Sequence, residues 1–221
     1  GPFGMGTYGS RSISVGGAAV NRGALKVQDK AKRIAAHLLE AAPEDIEVSG
    51  GKFSVKGSPD KGMALAEISA AAYIPENLPD GMEPGIVETS VFFGPKLDAG
   101  ERFFPSYAFD FHLVMVEIDP GTCGIQFRRY VVVHDCGTII NPLVVEGFVF
   151  GGIGHGVGGA LYEHFAYDSN GMLVTSSFMD YLLPTAAEVP HVELHTMETP
   201  SPVHPFGAKG TAEVSYVTAP A

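Results

Sequence analysis

Residues 107–142 read YAFDFHLVMVEIDPGTCGIQFRRYVVVHDCGTIINP, and the patterning of this stretch decides the fold class. Two apolar, β-rich runs, residues 107–118 and 124–133, bracket Asp119-Pro-Gly-Thr122, a turn sequence of the kind that joins antiparallel strands. Asn141-Pro142 then supplies an N-cap followed by proline at the first helical position, which predicts a helix running to about His164.

Residues 18–39 are rich in alanine, leucine, lysine and arginine. Val20, Ala24, Val27, Ala31, Ile34, Ala35 and Leu38 recur every three or four residues. That spacing predicts a helix with one packed face and with Lys26, Lys30 and Arg33 on the other, closed by Pro43. Ser49-Gly50-Gly51-Lys52 between β-rich pairs predicts a hairpin, and a short helix is expected over residues 64–72. Further strands are expected at residues 86–93, 173–178 and 192–197, with a loop over residues 75–85. The sum is an α+β fold of mixed helices and largely antiparallel strands, with no internal repeat.

The 221 residues suffice for one large domain or two small ones, and 45% hydrophobic residues can build a core. Fourteen basic against 25 acidic residues leave a net charge of -11, which argues against nucleic acid or an anionic membrane as partner. The longest stretch free of formal charge, residues 147–162, falls short of the roughly 20 apolar residues a membrane span needs. Two cysteines, Cys123 and Cys136, and no signal-peptide pattern favour a reducing, cytoplasmic setting.

The 28 glycines cluster at residues 1–17, 147–159 and 207–210, as expected where backbone must approach something closely. Gly147, Gly151, Gly152, Gly156 and Ala160 would let another backbone pack against their helix. Two runs, residues 4–9 and 154–159, match the dinucleotide pattern G-x-G-x-x-G. The first follows no visible strand, and the second falls inside a predicted helix that it should open. Thr7, Ser10, Arg11 and Ser12 gather donors ahead of a helix, which fits either a phosphate site or an ordinary capped loop. His134-Asp135-Cys136 and the pair His191 and His195 invite a zinc reading, but no second ligand pair stands at a zinc spacing, and residues 192–194 alternate like a strand. Glu213, just beyond the third glycine cluster, is either a general base or a solvated loop glutamate.

Taken together, the motifs resemble the molybdenum hydroxylase superfamily, in the large catalytic subunit of the xanthine dehydrogenase and aerobic carbon monoxide dehydrogenase type. The resemblance rests on Gly-Thr-Tyr-Gly-Ser-Arg-Ser at 6–12, Phe-Pro-Ser-Tyr at 104–107 leading to Val-Glu-Ile-Asp-Pro at 116–120, and His-Asp-Cys-Gly-Thr-Ile-Ile-Asn-Pro at 134–142 with Val-Glu-Gly at 145–147. It extends through Ala-Leu-Tyr-Glu at 160–163, Ser-Phe-Met-Asp-Tyr at 177–181, Thr-Pro-Ser-Pro at 199–202 and Gly-Ala-Lys-Gly at 207–210 to Glu213, in the family's order.

The resemblance implies that residues 1–221 are the C-terminal molybdopterin-binding region of such a subunit, either a fragment or a split subunit lacking the upstream half. It implies molybdopterin cytosine dinucleotide as cofactor and oxidation of a small molecule (purine, aldehyde, heterocycle or carbon monoxide) with oxygen from water. Glu213 would be the catalytic base. Gly6, Thr7, Tyr8, Gly9, Ser10, Arg11 and Ser12 would surround the cofactor together with Asp135, Cys136 and Gly137, while Lys209 and Gly210 would frame the glutamate. The pterin dithiolene would hold the metal without protein ligands. Electrons would leave through an iron–sulfur subunit with [2Fe-2S] clusters and an FAD subunit, and the chain by itself would be inactive. Three departures stand out: Phe148 and Phe150 where the family has glutamine and histidine, His155 where it has glutamine, and Ala212 where it has glycine. Phe148 is the feature favouring the alternative, a non-catalytic cofactor-carrying or scaffold module of a larger complex.

Overall fold

The computed structural model describes residues 4, 6–92 and 107–213. The expected strand residue Phe93, the motif residues 104–106 and the segment after Glu213 lie outside the described residues. Two compact units emerge, one of residues 19–92 and one of residues 1–18 with 93–221.

In the first unit, α1 (Ala18–Leu38) is followed by β1 (Ile46–Ser49), β2 (Lys52–Val55), β3 (Ser58–Ala64) and α2 (Leu65–Ala71). β1, β2 and β3 form an antiparallel sheet in that order. The expected hairpin is present: Ser49 faces Lys52, and Gly50 and Gly51 both take positive φ, as a two-residue turn of this hand requires. The core joins Ala31, Ile34 and Ala35 of α1 to Ile46, Phe53, Ile68 and Ala72.

Burial on α1 departs from the predicted face at its N-terminal half. Val20 is 73% exposed and Ala24 is exposed, while Lys30, assigned to the polar face, is buried. The packed cluster takes α1 residues only from Ala31 onward, so the apolar stripe is used where the sheet covers it and not before. Lys30 borders that stripe, where a lysine stem covers apolar surface. α1 also ends without Pro43: Glu40 takes φ +49, and Ala41 N–H bonds the Ala36 carbonyl at 2.9 Å, a left-handed C-terminal closure. Pro43 instead opens a short 3₁₀ turn, Pro43–Asp45. Residues 86–92 are not a strand. Their carbonyls bond to α1 side chains, Lys26 Nζ to Thr89 O at 2.8 Å and Arg22 Nη1 to Val91 O at 3.2 Å, in place of a ladder.

In the second unit, β4 (Phe109–Ile118) and β5 (Ile125–Asp135) pair antiparallel around the predicted turn, where Asp119 Oδ1 accepts the Gly121 N–H at 2.7 Å. β6 (Val192–Met197) joins the other edge of β5 in parallel, giving the order β4-β5-β6. α3 (Pro142–Val157) begins as predicted, with Asn141 Oδ1 accepting the Val144 N–H at 3.3 Å. It continues into a π-helical turn, Gly158–Tyr162, that ends the helical run. Val149, Ile153 and Val157 pack on Tyr130 and Val132 of β5, with Val114, Val192 and Leu194 alongside. The helical run Pro142–Tyr162 is long and apolar enough by length and composition to cross a membrane, because it starts five residues before the uncharged stretch. Its packing on the sheet is what a core helix does.

Two expectations here are corrected. Residues 173–178 contribute one bridge, Leu173 to Tyr167, and no strand: the Thr175 hydroxyl accepts the Ala166 N–H at 3.1 Å in place of a carbonyl, and the chain turns at Ser177, whose carbonyl accepts the Asp180 and Tyr181 N–H groups. Among the α3 glycines, Gly152 and Gly156 are buried, but a methyl group added at Gly147 or Gly151 would meet open space. The fold class is α+β with helices and largely antiparallel strands, as the patterning predicts.

Candidate functional site

The second unit gathers three segments far apart in sequence around one cavity of about 560 Å³. Thr7, Tyr8, Ser10, Ser12 and Ile13 come from the first glycine loop. Cys136, Thr138, Ile140, Asn141, Val144, Val145 and Phe148 come from the end of β5 and the start of α3, and Ala208, Lys209, Thr211, Ala212 and Glu213 from the last glycine turn.

The first loop is bent by left-handed residues, among them Ser10 at φ +52. A non-glycine residue held there costs about 1 kcal/mol or more, and it persists only when its surroundings fix it. Ser10 is fixed by the third segment: its hydroxyl donates to Glu213 Oε2 and accepts the Ala212 N–H at 2.8 Å. Gly210 permits the approach, since a Cβ there would lie 2.6 Å from Ser10 Cβ and 2.8 Å from its carbonyl oxygen. Beyond the loop, Ser12–Gly17 form a π-helical turn, a feature frequent at functional sites. The Ile13 carbonyl of that turn accepts a hydrogen bond from His204 Nε2 at 3.0 Å. His204 Nδ1 accepts the Phe206 and Ala208 N–H groups, each at 3.2 Å, which fixes the tautomer and ties the last turn to the first loop.

The second segment meets the third through Gly137, whose φ of +68 and lack of Cβ let the Gly207 carbonyl pass directly over it. Lys209 N–H bonds the Cys136 carbonyl at 2.8 Å, and Thr138 N–H bonds the Gly207 carbonyl at 3.1 Å. Asp135 is buried and accepts the Gly137 N–H at 2.8 Å, the Thr199 hydroxyl, and Lys209 Nζ at 3.2 Å. Burial works to raise its carboxyl, but the Thr199 and Gly137 hydrogen bonds and the Lys209 ammonium hold it below the ordinary carboxylate range. Lys209 Nζ also lies 2.6 Å from Thr199 Oγ1 and over the Phe109 ring at 5.2 Å. The Lys209 ammonium is thus engaged by Asp135.

His134, fully buried on β5, pairs through Nδ1 with Asp110 Oδ1 and through Nε2 with Thr211 Oγ1 at 2.6 Å. Burial disfavours its charged form, yet hydrogen bonds and charge from Asp110 and Cys136 prevail and push it up to about 9.

Of the residues singled out in the sequence, Thr7, Tyr8, Ser10, Ser12, Cys136, Lys209 and Glu213 line the cavity. Gly6, Gly9, Arg11, Asp135, Gly137 and Gly210 do not line it; they shape or brace the segments that do. The Arg11 guanidinium stacks 4.5 Å from the Tyr8 ring centroid. His134, Asp135 and Cys136 diverge toward Asp110, Thr199 and the cavity, and among the described residues no group of three His, Cys, Asp or Glu could hold a metal ion. His191 precedes β6 and His195 lies on it, so the helical spacing does not apply. Gly154–Gly159 of the dinucleotide-like run lie within α3 and its π turn, not at a helix start.

Asp110, His204 and Thr211 were missed in the sequence, and Thr199 entered only as the start of the Thr-Pro-Ser-Pro motif, with no partner assigned. Asp110 and His112 carried a signal, as polar residues at period two within an apolar strand; His204 and Thr211 bind across loops and carried none.

The chain belongs to the molybdopterin cofactor-binding domain family, whose model matches residues 1–190. It is 41% identical over 216 residues to the carbon monoxide dehydrogenase large chain of Hydrogenophaga pseudoflava, covering 98% of this chain and 26% of that one. It is 40% identical to the 6-hydroxypseudooxynicotine dehydrogenase complex subunit gamma of Paenarthrobacter nicotinovorans, covering 99% and 26%. Among solved structures, a Cu,Mo-CO dehydrogenase in its carbon monoxide reduced state superposes with a TM-score of 0.85 at 38% identity, covering 99% of this chain and 26% of that chain. The chain thus spans about a quarter of the length of these relatives.

Proposed function

We propose that residues 1–221 form the C-terminal molybdopterin-binding region of the large subunit of a molybdenum-dependent hydroxylase or dehydrogenase. The complete enzyme oxidises a small molecule with oxygen from water, and Glu213 is its catalytic base. The observation that carries this reading is the convergence of all three segments on one cavity, with the Glu213 carboxylate at its wall held by Ser10.

The residues present fit the cofactor. Among the lining residues, the hydroxyls of Thr7, Ser12 and Thr138 and the amide of Asn141 offer polar contacts, and Ile13, Ile140, Val144 and Phe148 offer apolar surface suited to a flat ring system. Residues 6–12 would hold the dinucleotide end, in the cytosine form, with donors ahead of the helical turn facing its phosphates. When bound, the molybdenum–pterin group supplies the two-electron oxidation. Glu213 accepts a proton at its carboxylate during the reaction, and Ser10 fixes the direction from which it does so. Asp135, with Lys209 and Thr199, braces the turn between Cys136 and Gly137 so that the cavity wall keeps its shape.

The rest of the large subunit, an iron–sulfur subunit with [2Fe-2S] clusters and an FAD subunit complete the assembly in this reading; a relative named as one subunit of a complex supports an assembly of several chains. Two free cysteines, one exposed and one buried, accord with a reducing cytoplasmic setting. Phe148 on the cavity wall favours a second reading, a non-catalytic cofactor-carrying module. Metal and pterin analysis of the natively purified complex separates the two. Stoichiometric molybdenum and cytosine nucleotide together with dye-linked substrate turnover is the expected result; cofactor without turnover would favour the carrier, and absence of cofactor would overturn the assignment.

A further inference from the structure

Beneath the cavity, the face of the sheet covered by α3 carries polar side chains that the proposed proton transfer does not use. Asp110 and His134 face each other across β4 and β5, with His112 and Tyr130 beside them. The His134 side chain is 0% exposed and that of Asp110 2%. His112 Nε2 reaches Asp110 Oδ2 at 3.3 Å, and His112 Nδ1 reaches Tyr130 Oη at 3.2 Å. A buried ionic pair is weak support for stability, and Val132 on the same face fills the layer with no polar atom. What the pair does that an apolar pair cannot is hold a hydroxyl: His134 Nε2 lies 2.6 Å from Thr211 Oγ1, two residues before Glu213.

We infer that His134, oriented by Asp110, is a positioning residue for Glu213: it fixes the Thr211 hydroxyl and thereby one end of the turn that carries the carboxylate. The other end is fixed by Ser10, which bonds the Ala212 N–H and Glu213 itself. Clamped on both sides, the turn has little freedom to swing the carboxylate away from the cavity that Thr211 and Glu213 both line. Because Asp110 and Cys136 keep the His134 imidazole protonated up to about pH 9, Nε2–H is the donor to Thr211 Oγ1. The Thr211 hydroxyl hydrogen then points elsewhere, and the contact keeps one polarity throughout the neutral range. The inference rests on the reading of Glu213 as the base.

The test uses the complete enzyme, with Thr211→Val and Thr211→Ser made in both the native and the Glu213→Gln backgrounds; Thr211→Val leaves the His134–Asp110 pair intact. Molybdenum and pterin content, KM and kcat are measured for each. Thr211→Val should keep cofactor content and KM and lower kcat by about tenfold or more, the lower end of the scale for one lost hydrogen bond to a charged group, and Thr211→Ser should restore kcat to within about twofold. In the Glu213→Gln background Thr211→Val should cause no further loss, since the two act as a unit. Unchanged kcat in Thr211→Val, the same fold-loss in both backgrounds, or loss of molybdenum from Thr211→Val would each overturn the inference. Unchanged turnover in Glu213→Gln alone would instead overturn the base assignment on which it rests.

Discussion

The Ser10 hydroxyl donates to the Glu213 carboxylate across 203 residues of sequence, from a backbone position in the left-handed region. Without that hydroxyl, Glu213 loses a charge-assisted bond and the Ala212 N–H loses its acceptor. Ser10→Ala should therefore lower turnover per bound molybdenum in the complete enzyme by roughly 10- to 150-fold, in line with the ~1.5–3 kcal/mol typical of a hydrogen bond to a charged group. Steady-state kinetics beside metal analysis checks this, and full turnover would show that the bond does not orient the carboxylate.

Two glycines should respond in opposite ways to the same small change. A methyl group at Gly210 overlaps the Ser10 backbone, so Gly210→Ala should destabilise by about 1–3 kcal/mol, as overpacking does. A methyl group at Gly151 meets open space within a helix, so Gly151→Ala in the 221-residue chain should stabilise by up to about 1 kcal/mol. Denaturant unfolding of both variants gives the signs directly.

His134 should make stability depend on pH in the alkaline range. Its pKa of about 9 lies above the ordinary 6.5, so its contribution is complete below about pH 6.5 and is lost as pH rises through 9. Unfolding measured from pH 6 to 10 should show stability falling across that window, and His134→Gln should flatten the fall. An equal slope in the variant would place the titration elsewhere.

Lys209 pairs with buried Asp135 and leaves Glu213 to Ser10. Lys209→Met should cost about 3 kcal/mol, the scale for removing one partner of a buried ion pair. Asp135, held low by its partners, contributes above its ordinary 3.8 and loses that contribution as pH falls through the lower folded value. The variant should narrow this acid window while leaving the pH–rate profile of the complete enzyme unchanged. A shifted profile would show that Lys209 tunes Glu213.

Much of the fold was legible because local chemistry and tertiary structure agree. Asn141-Pro142 starts α3, Gly50-Gly51 turns the first hairpin, and residues 192–197 alternate and form β6. β3 was missed because Ser58-Pro-Asp-Lys-Gly62 is polar and proline-bearing, a composition tolerated at a sheet edge, where β3 lies. Residues 86–92 deceived in the other direction, since β-branched residues suit an extended chain whether or not a ladder forms. At the site, the glycine clusters were legible because close backbone approach leaves glycine few substitutes, as Gly137 and Gly210 show. The side-chain partners were not, because Lys209 could reach Asp135 or Glu213 and only the packed turn selects one.

Glu213→Gln in the complete enzyme decides whether Glu213 is the base of a molybdenum hydroxylase site. The amide keeps the shape and the Ser10 contact but removes the basic oxygen. Molybdenum and pterin content should remain at the native level while turnover falls by about 10²-fold or more, the usual scale of losing a general base. Native turnover at full molybdenum occupancy would contradict the account.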